Sequence, residues 1–569
     1  MNLGPRTFYL AVFVLAAILL FAGLGSFPLT DRDEGEYASS AAFMLESGDF
    51  VVPTLNGRPY LEKPIFFFWT LAASFKMLGQ NEFAARFPSA VAAFVLLCSM
   101  FWAVEQVVGD RRAGKVSVLV LLASPLFLLV ARACLTDMLL SLFVWASMIF
   151  FYFYLASRRF MLLVLCWFFL ALGFLTKGPV TLAMSLPVFL AYSAAKRDFS
   201  WLRPERFSIS VMVFLLVSLP WYVAIYQRMG ASFIETFFLT QNLERFATTL
   251  LGHGGGPIFY IIVLAVGCFP MSFFFPPVLA RGFPLMIKGV KVGIRAKDSL
   301  FIFCFMTSVW IFVLLTIAAT KQMNYIVPAL PFLSVCLALS VSGLSSNDAL
   351  APSKASRILI VFLAVIFFLV SGLLLLFPEF VWERVLTLVR FDSTEYAFTQ
   401  RPPPEIRLLA FTLLIFTLPI PFVFLKTRVK FCTRFFVAVF FSSFFVVWFL
   451  PKAACIFQGP ARQLAKEVRY VLHNRASHAR RERVKLVSFG LWKPSMIFYT
   501  GRPIFRIKTK HPDRLANALS KNDSCLVFTR VRLRHYLEKV PGFIAIKRQG
   551  GYLLGGNRAG VLLFKEGLP

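Results

Sequence analysis

Histidine is scarce in this chain: five in 569 residues, and only His253 falls before residue 451. At most one histidine is therefore available there to a metal ion. Charged residues are scarce too, at 15%, and a water-soluble body of this length needs a far more polar surface. The nine cysteines include no CxxC pair, and Cys98, Cys166, Cys268, Cys304 and Cys336 sit inside apolar runs. Neither a zinc motif nor a disulfide framework is indicated. No glycine-rich phosphate loop stands in a strand–turn–helix context; GGYLLGGNRAG (550–560) reads as a hairpin, so no nucleotide cofactor is expected.

What fills the chain instead is hydrocarbon. Hydrophobic residues make up 58%, with 68 phenylalanines, and a helix in lipid can be apolar on every face because its backbone satisfies itself. Windows of about twenty apolar residues recur at 8–28, 83–107, 116–133, 138–156, 160–176, 178–195, 207–226, 257–280, 299–319, 326–344, 357–377, 406–425 and 431–450. The pattern predicts a polytopic all-α membrane bundle of about thirteen transmembrane helices over residues 1–451. Residues 64–78 are short for a span and carry Lys76, which fits a helix lying in the interface.

A net charge of +31 would suggest nucleic acid in a soluble protein. Here the cations gather in alternate short loops (Arg111, Arg112, Lys115; Arg158, Arg159; Lys196, Arg197; Lys426, Arg428, Lys430), the pattern of cytoplasmic loops. No nucleic acid is expected, and anionic phospholipid is. The opposite loops, 29–82, 227–256 and 378–405, and the tail then lie outside. After Pro451 the composition turns polar. Short strand patterns at 484–490, 503–507, 525–531, 543–548 and 560–566, alternating with helical patterns at 460–473, 512–521 and 532–539, predict a soluble α/β domain over 452–569.

The outer set of loops also holds the chemistry. Asp33, Glu34 and Glu36 crowd one short run, Glu62-Lys63 follows, and Asp137, Lys177, and Lys321 with Tyr325 border spans. Acids packed at a membrane surface repel one another unless a metal, a proton or a catalytic task holds them. A solvated loop is the plainer reading for the first run, a helix cap for Asp137, and a lysine reaching to the headgroups for Lys63. The alternating topology nevertheless puts all these groups on one face.

The runs DEGEYA, GDFVVPTLNGRPYLEKP, NEFAARFPSA, LTDMLL, LTKGP and KQMNYIVPALP, in that order, resemble the GT-C membrane glycosyltransferases. The likeness is closest to the branch of the 4-amino-4-deoxy-L-arabinose lipid A transferases, related to the protein O-mannosyltransferases, and it covers roughly residues 8–345. It implies a bacterial inner-membrane protein with its site and C-terminal domain in the periplasm. It further implies sugar transfer from a polyprenyl-phosphate donor to a lipid A, glycan or protein acceptor, by a chain acting as a monomer. Carried over, Asp33 and Asp137 match the catalytic acids. Lys63, Lys177, Lys321, Tyr325, Arg245 and Glu34 match groups around substrate and phosphate. Glu62 stands near a divalent metal (Zn, Mg or Mn), with His253 or Asn242 to complete its ligands.

Two departures stand out. Glu36 replaces an arginine of the branch's Asp-Glu-Thr-Arg-Tyr, and Gln241-Asn242 replaces a Glu-His pair ahead of Arg245-Phe246. The chemistry agrees with the resemblance, because a lipid-linked sugar phosphate carries its own leaving group. The protein need supply a carboxylate for the acceptor proton and cations for the departing phosphate. A lipid-sugar transporter is the rival reading, but transporters place charges and broken helices near the bilayer midplane, and here the acids lie at helix ends.

Overall fold

The apolar windows fold as helices, the one way a segment in hydrocarbon pairs all its own backbone groups. The computed structural model describes residues 5–249, 254–289, 294–341, 354–388, 402–426, 431–474, 484–520 and 523–565. Among the described residues nine helices are long and apolar enough to cross a membrane, and two bent pairs raise this to eleven. The remaining two windows are the 17-residue helices Pro5–Phe21 and Val180–Lys196. At 1.5 Å per residue each covers about 25 Å, slightly less than a bilayer core of about 30 Å. Residues 64–78 give the short helix Phe66–Leu78, as read from the sequence.

The bends have chemical causes. Arg111–Leu122 and Pro125–Ala131 meet at 76°, where Ser124 accepts a hydrogen bond from the Phe127 amide at 3.3 Å and Pro125 opens the new helix. Phe259–Gly267 and Met271–Lys288 meet at 114° across Pro270, which has no amide hydrogen to carry the helix on. The segment expected to be a loop after Met229 is helical as well, with a wide π-helical stretch at Ile234–Glu244.

The change of composition at Pro451 is not a break in the backbone. Helix runs from Phe431 through Asn474, so the last span passes directly into the C-terminal unit. There Ala461, Leu464, Ala465 and Val468 are buried. The five-stranded sheet has the order β4-β3-β5-β7-β6, with β3 Lys485–Phe489, β4 Phe505–Ile507, β5 Cys525–Arg530, β6 Ile544–Gln549 and β7 Tyr552–Gly556. β3 pairs parallel with β4 and β5, and β7 pairs antiparallel with β5 and β6. The period of two along a strand divides its side chains. Leu486, Leu526 and Phe528 join the core shared with the bundle, whereas Val487, Phe489 and Val527 pack with Leu515 and Leu519 of helix Pro512–Leu519.

One expected strand is a helix. GVLLFK (560–565) lies in Arg558–Lys565, because Asn557 caps it by accepting from the Gly560 amide at 2.9 Å. A continuous apolar run carries no period by which strand and helix could be told apart.

The C-terminal unit is tied to the first interhelical segment by buried polar contacts. Lys493 Nζ lies 2.8 Å from Asp31, with both side chains almost fully buried. Ser495 donates to the two Asp31 oxygens from its amide and hydroxyl at 2.8 and 2.9 Å. Asn56 and Ile504 exchange two hydrogen bonds, at 2.8 and 2.6 Å. Gly35 is required by this packing: a Cβ there would come within 2.4 Å of the Ser495 nitrogen.

Candidate active site

Asp33 opens the helix Asp33–Ser47, whose first turn also holds Glu34 and Glu36, where the helix dipole favours negative charge. Residues three and four apart share a helix face, so Asp33, Glu36 and Tyr37 look one way and Glu34 another. Asp33, Glu36 and Tyr37 line a cavity of about 790 Å³. Glu34 lies outside that lining. It is buried against Arg86, with Nε and Nη2 each 2.9 Å from its oxygens, and accepts further bonds from Thr30 and the Cys134 amide. Burial alone would raise its carboxyl, but Arg86 and these donors hold it below the ordinary range. The expectation that Glu34 contacts substrate is corrected: it is a structural ion pair.

Ahead of Glu62, the hairpin of β1 (Thr54–Leu55) and β2 (Arg58–Pro59) turns on Asn56 and Gly57, both at positive φ, as a two-residue hairpin requires. It leads to Tyr60, Glu62 and Lys63, which line the same cavity. Tyr60 donates to Glu36 at 3.1 Å. Burial, then the Glu62 and Asp33 charges, push the Glu36 carboxyl up to about 8. Burial, then Arg245 and Lys177, push the Lys63 amine down to about 8.

Asp137 and Lys177 sit at facing helix ends. Lys177 Nζ is 2.6 Å from one Asp137 oxygen, Asn324 donates to the other at 2.9 Å, and the Lys177 ammonium lies 4.3 Å from the centre of the Tyr325 ring. With both oxygens engaged, Asp137 is placed to hold Lys177 and is poorly placed to take a proton.

A second, mostly apolar cavity of about 370 Å³ opens beside the first, walled by Leu140, Met184, Phe237, Phe238, Leu314 and Leu315. Five residues line both: Glu62, Lys63, Lys177, Arg245 and Tyr325. Cations thus stand where an apolar groove meets a polar chamber rich in carboxylates. Asn242 lines the groove, but its amide donates to the Phe237 carbonyl at 2.6 Å. Lys321 is turned away from both cavities, and its ammonium donates to the Ala318 carbonyl, which corrects its expected role at the substrate. His253 lies outside the described residues. Among those residues no group of three or more His, Cys, Asp or Glu side chains stands ready to hold a metal ion; of the expected metal set, Glu62 lines both cavities and Asn242 the groove alone.

Residues 62–223 match the family model of the dolichyl-phosphate-mannose-protein mannosyltransferases. The undecaprenyl phosphate-alpha-4-amino-4-deoxy-L-arabinose arabinosyl transferase of Pectobacterium atrosepticum is 29% identical over 341 residues, 58% of this chain and 59% of the relative. Its namesake from Yersinia enterocolitica is 27% identical over 371 residues, 62% of this chain and 64% of the relative. The chain thus spans about three fifths of the length of the curated relatives it matches. The crystal structure of ArnT from Cupriavidus metallidurans bound to undecaprenyl phosphate superposes with a TM-score of 0.79 at 19% identity, over 98% of this chain and 99% of that one. The chain has the ArnT fold. The resemblance carried by the six motifs therefore holds.

Within the ArnT fold this site contains groups that sequence reasoning missed. Glu36 reads from the sequence as one acid of a crowded run and as a lost arginine, with no role of its own, although its spacing from Asp33 and Tyr37 places it on their helix face. Asn324 was overlooked inside a motif already quoted. Arg58, Trp492, Arg506 and Lys508 also line the polar cavity, the last three from the C-terminal unit, where nothing in the sequence pointed to them.

Proposed function

We propose that this protein is a glycosyltransferase that moves a sugar from a polyprenyl phosphate to an acceptor entering the polar cavity. The observation that carries the reading is the junction of the two cavities. A polyprenyl chain suits the apolar groove, its phosphate the cations Lys63, Lys177 and Arg245 at the groove's end, and the sugar the carboxylate-lined chamber beyond. The chain acts as a monomer set in phospholipid. The basic loops face the cytoplasm by their charge, which puts the site on the periplasmic side of a bacterial inner membrane.

In the reaction the acceptor oxygen attacks the anomeric carbon, the carbon–oxygen bond to the phosphate breaks, and the acceptor proton passes to Asp33. The phosphate leaves as the polyprenyl monoester, its charge met by Lys63, Lys177 and Arg245. One displacement inverts the anomeric centre. Lipid A, another glycan and a protein side chain are the acceptor classes to be tested.

The decisive experiment is transfer from a polyprenyl-phosphate sugar in proteoliposomes by the native protein and by Asp33→Asn. The amide keeps the shape but cannot accept the proton, so a loss of about two to four orders of magnitude in turnover is expected. Near-normal turnover would remove Asp33 from the mechanism. Movement of the intact lipid across the bilayer, without transfer by the native protein, would make it a transporter.

A further inference from the structure

The segment between the helices Ala296–Ile317 and Leu330–Val341 crosses the junction of the two cavities. Ala318 and Thr320 line the apolar groove, Gln322 and Asn324 the polar chamber, and Tyr325 both. The segment is fixed along its length. The Ala319 and Thr320 amides donate to the Phe246 and Arg245 carbonyls at 2.8 and 3.3 Å, and the Tyr260 hydroxyl donates to the Gln322 carbonyl at 3.3 Å. A stretch tied in this way to the backbone of Arg245 can deliver a side chain to a set point in the site.

That side chain is Asn324. Its amide nitrogen donates to one Asp137 oxygen at 2.9 Å, while Lys177 Nζ lies 2.6 Å from the other. An ion-paired carboxylate accepts and does not donate, so the nitrogen of the amide must face it. Among the described residues this is the one hydrogen bond that the Asn324 side chain makes. The Asp137 side chain is 3% exposed, and a buried oxygen deprived of its donor is costly to leave in place. The Lys177 ammonium in turn lies 4.3 Å from the centre of the Tyr325 ring. Because Asn324 and Tyr325 are neighbours in the chain, the contacts close a ring of four residues: Asn324, Asp137, Lys177 and Tyr325. A lysine is a compact charge on a flexible stem, and this ring decides where that charge stands.

We propose that Asn324 is a positioning residue of the donor-phosphate site: by fixing Asp137 it holds the Lys177 ammonium at the end of the apolar groove. The proposal rests on the reading of that groove as the seat of a polyprenyl phosphate. Asn324 lines the chamber but not the groove, so its effect on the phosphate passes through Lys177. A residue that touches the sugar, or one that only stabilises the fold, would act whether or not Lys177 is present.

The test is a double-mutant cycle read by binding. The full-length protein in phosphatidylcholine nanodiscs is titrated with fluorescent undecaprenyl phosphate, which carries no sugar. Asn324→Leu and Lys177→Met should each weaken binding by about tenfold, and Asn324→Leu should cost little more in the Lys177→Met background. Losses that multiply in full, or native affinity in Asn324→Leu, would overturn the proposal. The nearly isosteric Asn324→Asp gives a second signature. Its protonated acid can donate to Asp137 as the amide does, and its ionised form repels Asp137. Lys63, Lys177 and Arg245, with Asp33, Glu36 and Glu62, are the other charged groups of the chamber nearest this pair in role, and the native protein carries them all. Measured against the native protein at each pH, Asn324→Asp should therefore bind almost normally at pH 5 and about tenfold more weakly at pH 8. A ratio that does not change with pH would count against the proposal, since a folding defect would not follow this proton. Native protein that shows the coupling yet transfers no sugar in proteoliposomes would instead overturn the transferase reading alone.

Discussion

Glu36→Gln keeps the side-chain shape and the hydrogen bond from Tyr60, and it removes a carboxyl that burial, Glu62 and Asp33 push from 4.5 to about 8. At 1.36 kcal/mol per unit that gap corresponds to roughly 4 to 5 kcal/mol. Relaxation and water entry around a buried charge reduce that cost, so about 2 kcal/mol is the expected effect. The sign follows from where the proton resides. Between 4.5 and about 8 the folded state keeps a proton that the unfolded chain has released, so native stability falls as pH rises through this window and levels off above it. The amide has no such loss. Glu36→Gln and the native protein should be about equally stable at pH 5, and the variant should be the more stable at pH 9. Thermal unfolding in detergent, followed by tryptophan fluorescence from pH 5 to 9, reads the difference. A stability gap that does not change with pH, or a variant weaker at pH 9, would refute the placement of Glu36 among ionised neighbours.

Lys63, with its amine lowered to about 8, is charged below that pH and neutral above it. Polyprenyl-phosphate affinity should therefore fall by about tenfold between pH 7 and 9, and Lys63→Arg should flatten the profile because its guanidinium stays protonated; an unchanged native profile would count against Lys63 as the phosphate ligand. Arg86→Leu leaves Glu34 buried and unpaired, at a cost of about 3 to 5 kcal/mol, which unfolding in detergent should register. Adding Glu34→Leu should recover part of that loss, and failure to recover would show that Arg86 acts through its bonds to the Leu24, Phe27 and Pro28 carbonyls.

Charges inside or beside apolar windows are conspicuous in a membrane sequence, because each must be paid for by a partner or a task. That is why Asp33, Glu62, Lys63, Asp137 and Lys177 were legible and do converge on one chamber. Position at a helix end does not fix the direction of a side chain, and so Lys321 was misplaced. Glu34 and Glu36 were exchanged in importance for lack of one step: counting 3.6 residues per turn from Asp33 puts Glu36 on its face and Glu34 off it. The spans were readable because hydropathy alone defines them, whereas the bends at Ser124-Pro125 and Pro270 were not, since proline within a long apolar run is tolerated in lipid. Arg506 and Lys508 join the cavity only through pairings such as Asn56 with Ile504, 448 positions apart, which no local pattern contains.

The grip of Ser495 on Asp31 joins positions 464 apart in sequence, and this bears on synthesis. At roughly 5 to 20 residues per second, the loop that carries Asp33 waits about 20 to 90 s after it is made before its clamp exists. Through that interval Asp31 has neither Lys493 nor Ser495, and the helix beginning at Asp33 lacks the surface against which Gly35 packs. A ribosome-bound chain is therefore a membrane protein without an assembled chamber, and product made short of residue 495 should insert yet stay inactive.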